Sequence, residues 1–238
     1  MKLSVYAISD LHLSFGASKP MDVFGAEWIG YTEKIETEWR ALVGVDDTVL
    51  LPGDISWAMY IDEALPDFKF LESLPGEKII SKGNHDYWWT TMRKMKEFLE
   101  GNDLNSISFL YNDSIVVEES IGITAARGWV LPGSPDFGEQ DEKLYNREKI
   151  RLELSFKALK RYSDVSKVIL MLHYPPLYVD NQISGFTDII DEHKPEVCIY
   201  GHLHGRHVEN AFEGKRRGTE YRLVSSDCLK FKPLLLSG

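Results

Sequence analysis

Short apolar runs alternate with amphipathic stretches along most of the chain. Leu3–Ile8, Thr48–Leu51, Lys78–Ile80, Lys167–Leu172 and Val197–Tyr200 are brief apolar segments bounded by turn-forming residues, the pattern of buried strands. Between them, Thr32–Val43 carries Ile35, Trp39 and Leu42 at helical spacing, with Thr32 as the expected cap. Ile61–Leu74 is a second helical stretch, predicted to break at Pro66. A third helix is predicted from near Trp88 to about Glu100, with Met92, Met95 and Leu99 on its core face. The longest, Glu142–Tyr162, turns Tyr145, Leu152, Phe156 and Leu159 inward, and Thr187–His193 is a shorter one. Such alternation of strands and helices predicts the α/β class.

Two regions depart from that rhythm. Ser108–Tyr111, Ile115–Glu118 and Ile121–Ala125 are short strands without helices between them, which predicts a meander. The tail from His207 to Leu236 reads as strands around a Gly214–Gly218 turn. Two Gly- and Pro-rich loops, Ser14–Tyr31 and Gly128–Glu142, are longer than ordinary connections and are expected to shape access to a site.

Composition narrows the classes. A chain of 238 residues is expected to form one domain, two small ones being the alternative, and 43% hydrophobic with 27% charged residues is ordinary for a globular protein. The formal net charge of -10 disfavours nucleic acid as a partner, because a grip on its backbone needs a basic surface. It leaves a phosphorylated substrate open, since bound cations can supply positive charge locally. Only two cysteines occur, Cys198 and Cys228, which fits a reducing compartment. Leu3–Ile8 is too short for a signal segment, and no apolar run approaches the ~20 residues of a membrane helix. A cytoplasmic protein is therefore expected.

The chemistry gathers where the apolar strands stop. Asp10 and His12, Asp54, Asn84 with His85, His173, and His202 with His204 stand at five strand ends, and they include five of the chain's seven histidines. Any one of these histidines would ordinarily be a hydrogen-bonded structural residue. Five at the carboxyl ends of strands point to one crevice, because that edge is where α/β sheets bind ligands. Carboxylates, imidazoles and an amide without thiolate suit divalent Mn, Fe, Co or Zn, with Mn expected in vitro. The donors are too many for one tetrahedral ion. Two ions need a bridging carboxylate, for which Asp54 is the natural candidate. Two metals roughly 3.5–4 Å apart can clamp the attacking and leaving oxygens of a phosphoryl displacement and bring the pKa of bound water toward ~7. His85, beside Asn84, would be free either to protonate the leaving alkoxide or to hold a phosphoryl oxygen.

The ordered set Asp10-x-His12, Gly53-Asp54, Gly83-Asn84-His85-Asp86, His173 and Gly201-His202-x-His204 resembles the calcineurin-like metallophosphoesterases. The motifs cover nearly the whole chain and are specific in combination. The resemblance implies a four-layer α/β/β/α sandwich of two mixed sheets flanked by helices. It also implies a first metal on Asp10, His12 and His204, a second on Asn84, His173 and His202, and Asp54 between them. His85 matches the histidine that contacts phosphate and assists the leaving group, and Asp86 the acid that orients it; a cap for the following helix is an equal and compatible reading of Asp86. Members that cleave lipid-linked sugar nucleotides usually carry arginine at the His85 position, so that branch is disfavoured. The function implied is hydrolysis of a phosphomonoester or phosphodiester by in-line attack of metal-bound hydroxide, and a small phosphoester is favoured as substrate. The alternatives are a scaffold of weak or no activity on the same fold, and a binuclear hydrolase of amides or lactams. Arg127, Trp57 and Trp88 follow strand ends and are candidate substrate contacts; core packing and a surface loop are the competing readings. His193, His207 and the Lys215-Arg216-Arg217 turn read as structural.

Overall fold

Among the residues described in the computed structural model, 3–118, 120–181 and 183–237, the strands pair into two mixed sheets. In the first, β1 (Val5–Ala7), β2 (Thr48–Pro52), β3 (Glu77–Ser81) and β4 (Ile107–Phe109) run parallel. In the second, β5 (Ser114–Val117) lies antiparallel on β6 (Ile121–Ala126). Parallel to β6 follow β7 (Lys167–Leu172), β8 (Val197–Tyr200) and β10 (Thr219–Leu223), with β9 (Gly214–Arg216) antiparallel at the edge. The last strand, β11 (Leu234–Ser237), returns to the first sheet, antiparallel to β1.

The pleat explains how such short strands build three apolar layers, since successive side chains face opposite ways. Tyr6, Val49, Leu51 and Ile80 join a cluster with the helices α1 (Tyr31–Leu42), α2 (Leu65–Ser73) and α3 (Met92–Gly101). Their neighbours Val5, Ala7, Leu50 and Ile79 pack instead with Ile123, Ile169, Met171 and Ile199 of the second sheet. The opposite face of that sheet, Leu170, Leu172, Cys198 and Tyr200, clusters with α4 (Glu139–Leu159) and α5 (Gly185–His193). Each sheet thus has one face in a shared layer and the other under helices.

Several local expectations change. The meander is split: β4 pairs with β3 and β5 with β6, and the chain crosses between sheets at Asn112, whose φ is 51°. Periodicity shows that a strand exists but not which sheet receives it. Pro66 does not break a helix; it occupies the first turn of α2, where its missing N–H leaves no bond unmade. Thr32 does not cap α1. Gly30, with φ 61°, takes that place, and the Thr32 hydroxyl donates to Glu33 at 2.9 Å. The third helix starts four residues late, at Met92 behind a Thr91 cap, because Trp88 and Trp89 lie in the preceding turn. Met95 and Leu99 are core residues there.

Parallel pairing puts the carboxyl ends of β1, β2 and β3 on one edge, and those of β6, β7, β8 and β10 on another. The edges are joined where the Ser9 N–H donates to Val224 O at 2.7 Å. As a test of the outer layer, Leu152→Ala in α4, at a fully buried position, should cost about 2–5 kcal/mol in chemical denaturation; a loss within experimental error would contradict the packing described.

Candidate metal centre

Four of the strand-end residues sit in a backbone region that non-glycine residues rarely enter: Asp10 at φ 57°, His12 at 46°, Asp54 at 54° and His202 at 73°. Each such residue costs about 1–3 kcal/mol and persists only where its surroundings fix it. Here the restraints are visible. The Asp10 and His12 N–H groups donate to the Gly53 and Asp54 carbonyls at 3.0 Å each. The His202 N–H donates to both Asp10 carboxylate oxygens at 3.1 Å. Gly83 is required for close approach, because a Cβ there would collide with the carboxylate and backbone of Asp54.

Asp86 supplies the main restraint, and in a way the sequence did not suggest. Expected to orient His85, it instead accepts the N–H groups of Gly83 at 2.7 Å, Ile55 at 2.8 Å and Asp54 at 2.9 Å, and the Trp88 indole at 3.1 Å. A buried carboxylate is best satisfied by converging backbone donors, and the imidazole of His85 lies elsewhere. That ring packs against Trp57 at 4.6 Å and His12 at 5.7 Å, and its buried Nδ1 has no hydrogen-bond partner among the described residues.

The seven proposed ligands are brought together. Asn84 Oδ1 lies 2.6 Å from His173 Nε2 and 2.9 Å from His202 Nδ1. His204 Nε2 is 3.2 Å from Asp10 Oδ1, and Asp54 Oδ2 is 3.5 Å from His173 Nε2 and 3.7 Å from His12 Nε2. Two compact donor groups result, Asp10 with His12 and His204, and Asp10 with Asp54 and His173. Asp10 is common to both.

The donor chemistry fits divalent cations. His173 Nδ1 faces the Pro52 carbonyl at 3.1 Å, which assigns its proton to Nδ1 and leaves a lone pair on Nε2 pointing at the Asn84 oxygen. His204 Nδ1 likewise faces the Asp227 carboxylate at 2.9 Å, freeing Nε2 toward Asp10. The facing acceptors His173 Nε2 and Asn84 Oδ1 need positive charge between them. Burial pushes His12 well below the ordinary imidazole range, His173 to about 3 and His202 to about 4, so all three present neutral nitrogen. Burial, then the Asp86 and Asp10 carboxylates, push Asp54 well above the usual carboxylate range. Burial would also raise Asp10, yet His204, His173 and His12 hold it well below. His204 is opposed by burial but pushed up to about 10 by Asp10 and Asp227. Without a cation, a proton on His204 offsets part of the excess negative charge.

The other candidates separate. Trp57 stacks on His12 at 4.7 Å and lines the crevice. Trp88 does not reach it; only 2% exposed, it packs edge-on against Phe68 at 5.0 Å as a core residue. Arg127 is no free phosphate clamp: its guanidinium pairs with the buried Glu148 at 3.4 Å and lies 4.3 Å from the Trp129 ring. His193 is structural, stacked on Phe156 at 4.2 Å, whereas His207 lines the crevice. Sequence reasoning missed Asp227, and also Ser225 and Ser226, whose hydroxyls donate to Asp10 at 3.2 and 2.7 Å. Their signal was the polar run directly after β10, another strand end.

These features define a metal-binding α/β fold with its site at converging strand ends. The profile of the Calcineurin-like phosphoesterase family matches residues 3–206, and the chain belongs to that family. No curated protein matches the sequence. Among solved structures, the phosphopantetheinyl hydrolase of Mycobacterium tuberculosis is similar at 14% identity and a TM-score of 0.57, covering 99% of this chain and 96% of that one. The protein TT1561 of Thermus thermophilus is similar at 13% identity and a TM-score of 0.56, covering 100% and 99%. At these identities the likeness is one of fold. No described helix is long and apolar enough to cross a membrane.

Because its folded-state carboxyl titrates above the unfolded value, Asp54 costs the metal-free fold stability as pH rises from the ordinary carboxylate value through the raised one. Asp54→Asn should therefore raise the melting temperature of stripped protein at neutral pH and shrink the increase that added Mn²⁺ gives the wild type. A lower melting temperature of the stripped variant, or an undiminished metal response, would contradict this reading.

Proposed function

We propose that this chain is a dinuclear-metal phosphohydrolase acting on a phosphomonoester or phosphodiester. The observation that carries the reading is the approach of two acceptors, His173 Nε2 and Asn84 Oδ1, to 2.6 Å at the strand-end crevice with no proton between them, beside the carboxylates of Asp10 and Asp54. Asp10, His12 and His204 would hold one ion, Asn84, His173 and His202 the other, with Asp54 between. When bound, such ions supply an activated water and positive charge for the phosphoryl oxygens.

The chain's own residues do the remainder. Asp54 accepts the His85 N–H at 2.8 Å, which sets the position of His85 against the metal ligands. Burial, with the Lys19 charge, lowers the His85 pKa from its ordinary value, so the ring is neutral at neutral pH. A neutral imidazole is a poor proton source but a good N–H donor. Of the two roles open to His85, holding a phosphoryl oxygen is the better supported. Trp57, stacked on His12, limits water on that side.

The test is hydrolysis of a chromogenic phosphomonoester and the matching diester by stripped protein, before and after Mn²⁺. Metal-restored turnover is expected; full turnover in the presence of a chelator would refute the reading. His85→Ala should keep metal binding by calorimetry and lower kcat/KM by about 10²–10³-fold, as for loss of one donor to a developing charge. Since His85 is already neutral, no activity attributable to it should be lost as pH rises through about 6.5, the ordinary histidine value. A loss there that disappears in His85→Ala would restore the proton-donor role.

A further inference from the structure

A cavity of about 340 Å³ opens beside the candidate metal centre. Its lining joins the imidazoles of His12, His85, His202, His204 and His207 to four apolar side chains, Met21, Phe24, Trp28 and Trp57. Three of those four come from the long loop between β1 and α1, in or beside its two 3-10 turns, Asp22–Phe24 and Ala26–Trp28.

This apolar wall is fixed by the core. Trp28 is buried and meets Phe231 at 5.2 Å and Tyr31 at 5.3 Å, both edge-on. The Trp57 indole N–H donates to Met21 Sδ at 3.0 Å, while the Trp57 ring stacks on His12. Phe24 differs: it is 57% exposed and stands at the lip. Two charges lie at the same mouth, Glu27 among the lining residues and Lys19, whose Nζ is 3.2 Å from the Trp57 centroid. A second cavity, of about 570 Å³, shares His202 and His207 with the first, and its lining includes Asp136, Asp180, Asn181 and Asn210 but not His85. The first carries two tryptophans and a phenylalanine, the second two aspartates and two asparagines beside Val130, Pro135, Tyr178 and Leu203.

We infer that the apolar cavity is a specificity pocket for the ester substituent of the substrate, which would be a phosphoester of a phenol or of another apolar alcohol. The inference rests on the phosphohydrolase reading above. A phosphoryl group at the metal centre lies next to His85, and an apolar substituent directed away from the ions meets the exposed Phe24 ring and the edges of Met21, Trp28 and Trp57 that line the cavity. Removing the substituent and the Phe24 ring from water on binding is favourable, and Met21, Trp28 and Trp57 are already held in place, so little ordering is required.

The test uses metal-loaded protein and two non-hydrolysable ligands with the same anionic head, phenylphosphonate and methylphosphonate, titrated by calorimetry. Wild type should bind the phenyl compound about tenfold more tightly, the gain expected from burying roughly half of a phenyl surface. Phe24→Ala, an exposed position whose loss leaves the core intact, should weaken phenylphosphonate about threefold and leave methylphosphonate unchanged. Equal affinity of wild type for the two ligands would overturn the pocket while keeping the phosphoester reading. Binding of neither would overturn that reading and the pocket with it.

Discussion

The carboxylate of Asp86, fully buried and turned onto the backbone N–H groups of Gly83, Asp54 and Ile55, ties the ends of β2 and β3 into one unit. Much of the site depends on that attachment. It fixes Asp54 in a left-handed conformation, and Asp54 in turn accepts the His85 N–H. The Gly53 and Asp54 carbonyls next to it receive the N–H groups of Asp10 and His12 from the neighbouring β1 loop. A side chain that looks like catalytic chemistry in the sequence is a structural restraint on catalytic geometry in the fold. Backbone donors suit this role better than a histidine would, since they cannot rotate away.

The restraint holds together charges that repel. Asp10, Asp54 and Asp86 lie close enough for each to alter the titration of Asp54, and all three are buried. Asp86 is offset by backbone donors, and the Asp10 carboxylate by the His202 N–H, the Ser9 and Ser225 hydroxyls and His204. Among the described residues Asp54 has a single N–H donor, and its other oxygen faces neutral imidazoles. The arrangement leaves a deficit of positive charge at one place. A divalent cation meets that deficit, and strained backbone positions persist where surrounding contacts outweigh their cost.

The sequence made the site more legible than the fold around it. Asp10, His12, Asp54, Asn84, His173, His202 and His204 are readable because strand ends are marked by an abrupt change from apolar to polar residues. Parallel strands then carry those ends to a common edge. What local pattern cannot carry is long-range pairing, so Ser108–Tyr111 and Ile115–Glu118 looked like neighbours although β4 and β5 belong to different sheets. Asp227 escaped for a related reason: it follows β10, and nothing in the sequence shows that β10 runs parallel to β8. Pro66 and Thr32 were misread because helix breaking and capping depend on position within one turn. Trp88 and Trp57 are indistinguishable by sequence context, each lying just beyond a ligand motif, yet one packs on Phe68 and the other on His12.

The loop 14–31 shows how an irregular segment gains a fixed shape. Met21 and Trp28 are anchored in the same apolar cluster as α1, α2 and α3, which leaves Phe24 exposed at the edge of the crevice. The metal centre therefore lies between strained strand ends and an aromatic wall, and everything proposed for it requires that cations sit among those side chains. Anomalous diffraction from crystals of the Mn²⁺-loaded protein examines that requirement most directly. Two peaks are expected, roughly 3.5–4 Å apart, within bonding distance of Asp10, His12, Asp54, Asn84, His173, His202 and His204. An absence of peaks there at saturating metal, or peaks bound only by other residues, would contradict it.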